Sequence, residues 1–340
     1  MNKTRVLLVG YGFMGKTHAA IYEAIPEVEV VAIVDLLACT STVALPSGKV
    51  VPVSKTLSEA LASYPCDMVD LCVPTDLHVT MGLQVLGERK HLFCEKPIAL
   101  DREGASQLEA ARQQAGVQAM VGHCIRFWPE YRFLKDLIGS KKWGALQSLS
   151  LRRYAARPRQ SAGSWVEDPH RCKGAALDLH IHDTDYLLSV LGKPFLVTSR
   201  GVREESGWNW ISTDYAYEGV VVHAEGGWNL PENWPFEMSY RAVFTGGVVD
   251  FSSNQTPTLR FFENFHYPKL KFTSSEIGSD SKLSTNLAGM SGYYATLAYF
   301  IGQIQKGLPI EESTLEQATQ SLEVTLAEIQ SAEEGRRISI

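Results

Sequence analysis

Basic residues are in deficit. Lysine and arginine number 32 against 38 aspartates and glutamates, a formal net charge of −6. That balance leaves no basic footprint for a nucleic-acid backbone. Long unbroken apolar runs are missing too, which argues against a membrane-spanning helix. Cysteine is sparse: six residues, at positions 39, 66, 72, 94, 124 and 172, with no C-x-x-C pair. The spacing speaks against a disulfide framework or zinc knuckle. Free thiols, several of them in apolar strand-like runs, in a reducing cytoplasm account for it better. No internal repeat, low-complexity tract or linker stands out, and the amino terminus enters an apolar run without a signal-peptide pattern. What is present is ordinary: 340 residues, 45% hydrophobic and 21% charged, which suits a globular chain of two domains.

The first third alternates short apolar runs with amphipathic stretches. Val6–Val9, Val30–Val34, Met68–Val73, His91–Cys94 and Ala119–Gly122 read as strands covered on both faces. Lys16–Ala24, Thr56–Ala62, His78–Gly87 and Arg102–Ala115 read as helices between them. The fold class is α/β, with a doubly wound parallel sheet over residues 1–125. Residues 126–340 form a second, α+β domain. There Leu146–Tyr154, Phe195–Val202, Thr213–Val222, Glu225–Trp228, Phe236–Phe244 and Gly247–Phe251 predict a large, mainly antiparallel open sheet. A long helix over Ala175–Leu191 interrupts it. Helices near Gly292–Lys306 and Thr314–Glu333 close the chain and could pack back on the first domain.

The first apolar run, Val6–Val9, leads into Gly10-Tyr11-Gly12-Phe13-Met14-Gly15. In a strand–turn–helix setting this G-x-G-x-x-G binds a pyrophosphate. Gly10 allows the tight turn, Gly12 lets backbone approach the phosphates, and Gly15 lets the helix pack on the strand. The helix then aims free N–H groups and its positive dipole end at the anion. Asp35, twenty positions after Gly15, ends the second strand, where a carboxylate accepts from adenine-ribose hydroxyls. No base follows among Leu36, Leu37, Ala38 and Cys39, so NAD is favoured over NADP and its 2′-phosphate.

Two further constellations carry chemistry. Glu95-Lys96-Pro97 ends a strand of the first domain, and ligands of such sheets lie at the carboxyl ends of the strands. An amine there can stabilise charge on a substrate oxygen. Pro97 restricts Lys96 to extended geometry and permits a cis bond. The second is Asp178-Leu179-His180-Ile181-His182-Asp183-Thr184-Asp185. On a helix Asp178 and His182 share one face. A carboxylate beside an imidazole orients it for acid–base work near neutral pH. A solvated polar stripe is the bland alternative. A metal is disfavoured, because on a helix His180 and His182 point about 200° apart. Arg157 and Arg159 follow the strand Leu146–Tyr154 and could meet a substrate carboxylate, with a solvated rim the simpler account.

With these pieces in view, the chain resembles the Gfo/Idh/MocA family of NAD(P)-dependent sugar and cyclitol dehydrogenases over nearly its whole length. The matching segments are Gly10–Gly15, Val73–His78, Glu95-Lys96-Pro97, Gly122–Pro129, Trp165–Pro169, Asp178–Asp185 and Ser331–Ile338. The resemblance implies a Rossmann first domain and a dehydrogenase exchanging hydride between NAD and a secondary alcohol of a sugar, cyclitol or sugar-derived acid. Lys96 would contact the reacting oxygen, His182 would exchange its proton, and Asp178 would orient His182 and bind a neighbouring hydroxyl. Phe13, Met14, Pro74, Thr75, His78 and Glu95 would join the glycines and Asp35 in holding cofactor. Arg126 and Arg157 are candidate substrate contacts. A homodimer or homotetramer through the C-terminal sheet is implied as well. Many relatives have Gly at the position of His180 and Asn at that of Asp76. His180 either points away from the pocket or narrows substrate choice. A non-catalytic ligand-sensing regulator on the same fold is the alternative function.

Overall fold

Uninterrupted apolar sequence becomes strand wherever both faces are covered. The computed structural model describes residues 3–158, 162–272 and 290–340. In it, β1 (Thr4–Val9) buries Val6, Leu7 and Leu8 completely. After it come α1 (Phe13–Ala24), β2 (Val28–Val34), β3 (Thr42–Ala44), β4 (Val50–Ser54), α2 (Leu57–Ser63), β5 (Met68–Leu71), α3 (His78–Gly87), β6 (His91–Cys94), α4 (Arg102–Ala115) and β7 (Ala119–Val121). The strands join in the order β3-β4-β2-β1-β5-β6-β7. All described pairs are parallel except β3 with β4. This is the doubly wound Rossmann arrangement. The helices start and stop on local chemistry: Asp101 accepts from the Gly104 N–H at 2.8 Å before α4, and Gly116, left-handed at φ 69°, ends it.

The chain separates into two units, one made of Met1–Phe127 with Glu276–Thr319, the other of Trp128–Ser275 with Gln320–Ile340. The second holds α5 (Pro129–Ser140), β8 (Leu146–Ala156), α6 (Ile181–Leu191), β9 (Leu196–Glu204), β10 (Gly207–Tyr217), β11 (Val220–Leu230), β12 (Glu237–Phe244), β13 (Gly247–Ser252) and β14 (Leu259–Glu263). The chain then returns to the first unit with α7 (Ser291–Lys306). There Leu297, Phe300 and Ile301 enter the core that contains Phe93 and Phe127. Thus α7 lies with the core of the first unit. The last elements are α8 (Leu315–Glu334) and β15 (Ile338–Ser339).

The second sheet runs β14-β13-β12-β8-β11-β10-β9-β15 and is antiparallel except where β8 meets β11. Its inner face buries Leu149, Leu151, Ile211, Val222, Ala224, Tyr240 and Ala242. Two readings change. Thr213–Val222 is a hairpin, not one strand: β10 stops at Tyr217 and β11 restarts at Val220, around Gly219 at φ 73°. The helix expected over Ala175–Leu191 opens with a π-helical turn, Ala176–His180, before α6.

Candidate functional site

In the first unit the glycine turn is built by backbone proximity. Gly10 leaves β1 at φ 86°, and a Cβ on it would lie 2.4 Å from the Cys72 carbonyl oxygen. A Cβ on Gly15 would lie 1.9 Å from the Gly10 carbonyl oxygen, so α1 approaches β1 as only glycine permits. Gly12 differs. Nothing lies within 4 Å of where its Cβ would be, and it precedes a helix with no acidic side chain in its first turn. That opening beside free N–H groups fits a pyrophosphate. Phe13 is 79% exposed and Met14 is half-buried.

Asp35 closes the other end of this cradle. Its Oδ2 accepts the Tyr11 N–H at 2.9 Å and its Oδ1 accepts the Leu37 N–H at 2.8 Å. Two backbone donors fix the orientation of the carboxylate. Leu36 and Leu37 are largely exposed. The groups fit NAD: an anion cradle, a fixed ribose acceptor and an apolar flank without a base to balance a 2′-phosphate.

Beyond β5 and β6 lie the other residues assigned to cofactor. Pro74 caps a single 3-10 turn, Thr75–Leu77, and Thr75 is buried. The Lys96–Pro97 peptide is cis. His78 is held between these loops. Its Nδ1 lies 2.7 Å from the Pro97 carbonyl oxygen and its Nε2 2.9 Å from that of Val73. Both ring nitrogens face the chain's own carbonyls, so the ring ties the two strand-end loops together and offers neither nitrogen to a ligand. Burial holds it below the ordinary imidazole range.

Sequence reasoning missed a buried polar group below these loops. His18 Nδ1 is 2.8 Å from Asp70 Oδ2, and its Nε2 is 3.3 Å from Glu95 Oε1. The Tyr22 hydroxyl donates to Asp70 Oδ2 at 2.8 Å. Two signals were available. Asp70 interrupts the apolar strand Met68-Val69-Asp70-Leu71, and Gly15, His18, Ala19 and Tyr22 fall on one helical face.

In the second unit the cluster from Asp178 to Asp185 divides by role. Asp183 receives Arg153 Nη2 at 2.8 Å and Nε at 3.1 Å, with neither side chain exposed. Asp185 accepts from the Ser321 hydroxyl at 2.7 Å. His180 Nε2 lies 2.9 Å from Glu328 Oε2 and 3.2 Å from the Tyr215 hydroxyl, both buried. His180 is fully buried. Asp178 alone between Gly174 and Leu187 is of intermediate exposure, and His182 is buried at 9%.

The arginines assigned to substrate are engaged elsewhere. Arg126 is buried and donates to Gln317 Oε1 at 2.6 Å, with Glu312 at 3.8 Å. Arg157 pairs with Glu204, lies 3.7 Å from Glu167 and donates to Asn229 at 3.3 Å. With two carboxylates of the chain around it, its guanidinium has no need of a third. Arg159 lies outside the described residues.

A Rossmann sheet with this turn and this carboxylate defines a dinucleotide-binding class. Residues 4–123 match the model of the oxidoreductase family with an NAD-binding Rossmann fold, and residues 131–250 match the GFO/IDH/MocA C-terminal domain. The chain belongs to the GFO/IDH/MocA oxidoreductase family, and its first domain is an NAD-binding Rossmann fold. It is 31% identical to 2,7-anhydro-N-acetylneuraminate hydratase of Escherichia coli, over 63% of this chain and 50% of that protein. It is 28% identical to inositol 2-dehydrogenase of Rhizobium meliloti, over 56% of each. The match spans about half the length of these curated relatives. In fold it is similar to the WlbA dehydrogenase of Bordetella pertussis, solved with NADH and UDP-GlcNAcA. The TM-score is 0.81 at 21% identity, covering 100% of this chain and 99% of that one.

Proposed function

We propose that this protein is an NAD-dependent dehydrogenase acting on a secondary alcohol or ketone of a sugar, cyclitol or sugar-derived acid. The observation that carries the reading is the NAD-binding Rossmann unit, with its glycine turn and fixed Asp35, in a chain whose two parts match the GFO/IDH/MocA oxidoreductase family. When bound, the nicotinamide supplies the hydride acceptor or donor. Lys96 steadies negative charge on the substrate oxygen, and His182 takes or returns the hydroxyl proton. Asp178 orients the imidazole and supports its protonated form. The glycine turn and Asp35 hold the dinucleotide.

The test is a panel of sugars, inositols and uronates with NAD or NADP, followed by absorbance of the reduced nicotinamide. One or more neutral polyols should turn over, with kcat/KM favouring NAD by about tenfold or more, because Asp35 repels a 2′-phosphate. No turnover on any member, or a preference for NADP, overturns this reading.

We infer further that the protein is a homo-oligomer built on the outer face of the second sheet. Tyr154 stacks on Trp210 there at 5.0 Å, Glu225 accepts from both, Val202 paired with Trp210 is 51% exposed, and Val221 further along β11 is 71% exposed. A stacked aromatic pair on a face with exposed apolar side chains suits an interface core. Light scattering should give a dimer or tetramer that Val221→Arg dissociates; a monomeric wild type removes the idea.

A further inference from the structure

The buried group below β6 sets an imidazole between two carboxylates, and the roles given above leave His18 and Asp70 unused. His18 stands between two carboxylates, Asp70 at 2.8 Å from Nδ1 and Glu95 at 3.3 Å from Nε2. Asp70 and His18 are 0% and 1% exposed, and Glu95 is 7% exposed. A neutral imidazole carries one N–H and serves one acceptor; serving both takes the imidazolium. The neighbours supply the negative charge that form needs. Burial, with Asp70 adding to it, pushes Tyr22 and Cys72 up, so both stay protonated beside Asp70. Burial disfavours a charged His18, and Asp70, through its charge and its hydrogen bond at 2.8 Å, lifts the ring against it. Burial likewise favours a neutral Glu95. The hydrogen bond and charge of His18, then the charge of Lys96, hold that carboxyl below its usual range. Cys94, also buried, is pushed up and stays a thiol.

Glu95 is the first residue beyond β6, at the carboxyl end where ligands of such sheets bind. We propose that His18 is a positioning residue whose imidazolium, anchored on Asp70, keeps Glu95 an ionised acceptor for the bound dinucleotide. A carboxylate binds ligand hydroxyls more strongly than a carboxylic acid does. The proposal rests on the reading of the first unit as an NAD site.

Titration calorimetry with NAD, from about pH 5.5 to about pH 8.5, tests it on the wild type, His18→Gln, Glu95→Gln and the double variant. The wild type should bind with level affinity, because Glu95 is ionised throughout. In His18→Gln the buried carboxyl rises toward neutral pH, and affinity falls as pH drops, by up to about tenfold per pH unit below its new pKa. Glu95→Gln should bind weakly and without pH dependence, and the double variant should match it rather than add to it. A packing role alone gives a level, additive loss in His18→Gln and overturns the proposal. Nitrogen-15 spectra of the wild type decide without any variant: both ring nitrogens of His18 protonated near neutral pH support it, and a neutral ring overturns it. A wild type that binds no NAD removes the dinucleotide reading instead, and the spectra still report on His18.

Discussion

Lys96→Ala is expected to lower kcat/KM by about 10²–10⁴-fold, the range set by losing one aimed donor or acid–base partner. NAD affinity in the same variant should change by less than about threefold, since one side chain out of many contacts is lost. The separation follows from where binding comes from. The glycine turn, the N–H groups opening α1 and the doubly held Asp35 remain intact. An amine acting on the reacting oxygen helps most when charge has built up there, so its loss falls on turnover. Lys96→Arg should recover little, because a planar fork does not replace a compact ammonium. His182→Asn should cost a similar factor and remove the limb of the pH–rate profile that reports the proton acceptor. If the two residues act as one unit, the double variant loses little more than either single one. Near-normal turnover in Lys96→Ala would take the residue out of the mechanism.

Much of this arrangement can be read from the chain, and the reason differs from place to place. Strands β1, β2, β5, β6 and β7 lie under helices on both faces, so burial writes itself as continuous apolar runs. The edge strand β3 and its neighbour β4, both only partly buried, carry mixed sequence and leave no such mark. The β10–β11 turn is brief enough for the alternation on either side to read as one strand. The π-helical turn keeps the apolar spacing of a helix, so periodicity cannot announce it. At the site, glycines and the carboxylate after β2 are legible because each answers a backbone requirement. The fate of His18, His78, His180 and Asp183 is not legible, because each is decided by a partner distant in sequence. His18 meets Asp70 across 52 positions, and Arg153 meets Asp183 across 30. His78 meets the Pro97 carbonyl across 19 positions, a contact that no local spacing announces.

Asp183→Ala should destabilise the second unit by about 3–5 kcal/mol, the usual cost of leaving one member of a buried ion pair behind. Arg153 is 1% exposed and Asp183 0%. The guanidinium gives Asp183 two hydrogen bonds, and its Nη2 also lies 3.3 Å from the Tyr131 hydroxyl. Tyr131 in turn packs edge-on against Tyr186, Tyr240 and Phe251. The pair thus joins β8 to α6 inside an aromatic core. Without Asp183 the guanidinium keeps its proton at any accessible pH and stays charged and buried. The reciprocal variant, Arg153→Met, behaves differently. Its orphaned Asp183 can take up a proton, so its folded-state pKa rises above the unfolded value near 3.9. Stability contributed by a raised group is present below the unfolded pKa and is lost as pH rises toward the folded one. Arg153→Met should therefore be least damaged near about pH 4 and progressively weaker toward neutral pH, while Asp183→Ala lacks this recovery. Arg153→Met with Asp183→Leu, which buries no charge, should be more stable at neutral pH than either single variant. Urea denaturation across pH reads all three. Equal losses in both single variants at every pH would show that the pair is not buried as described. Because Asp183 follows His182 directly on α6, loosening this anchor should also lower turnover in Asp183→Ala before it unfolds the chain.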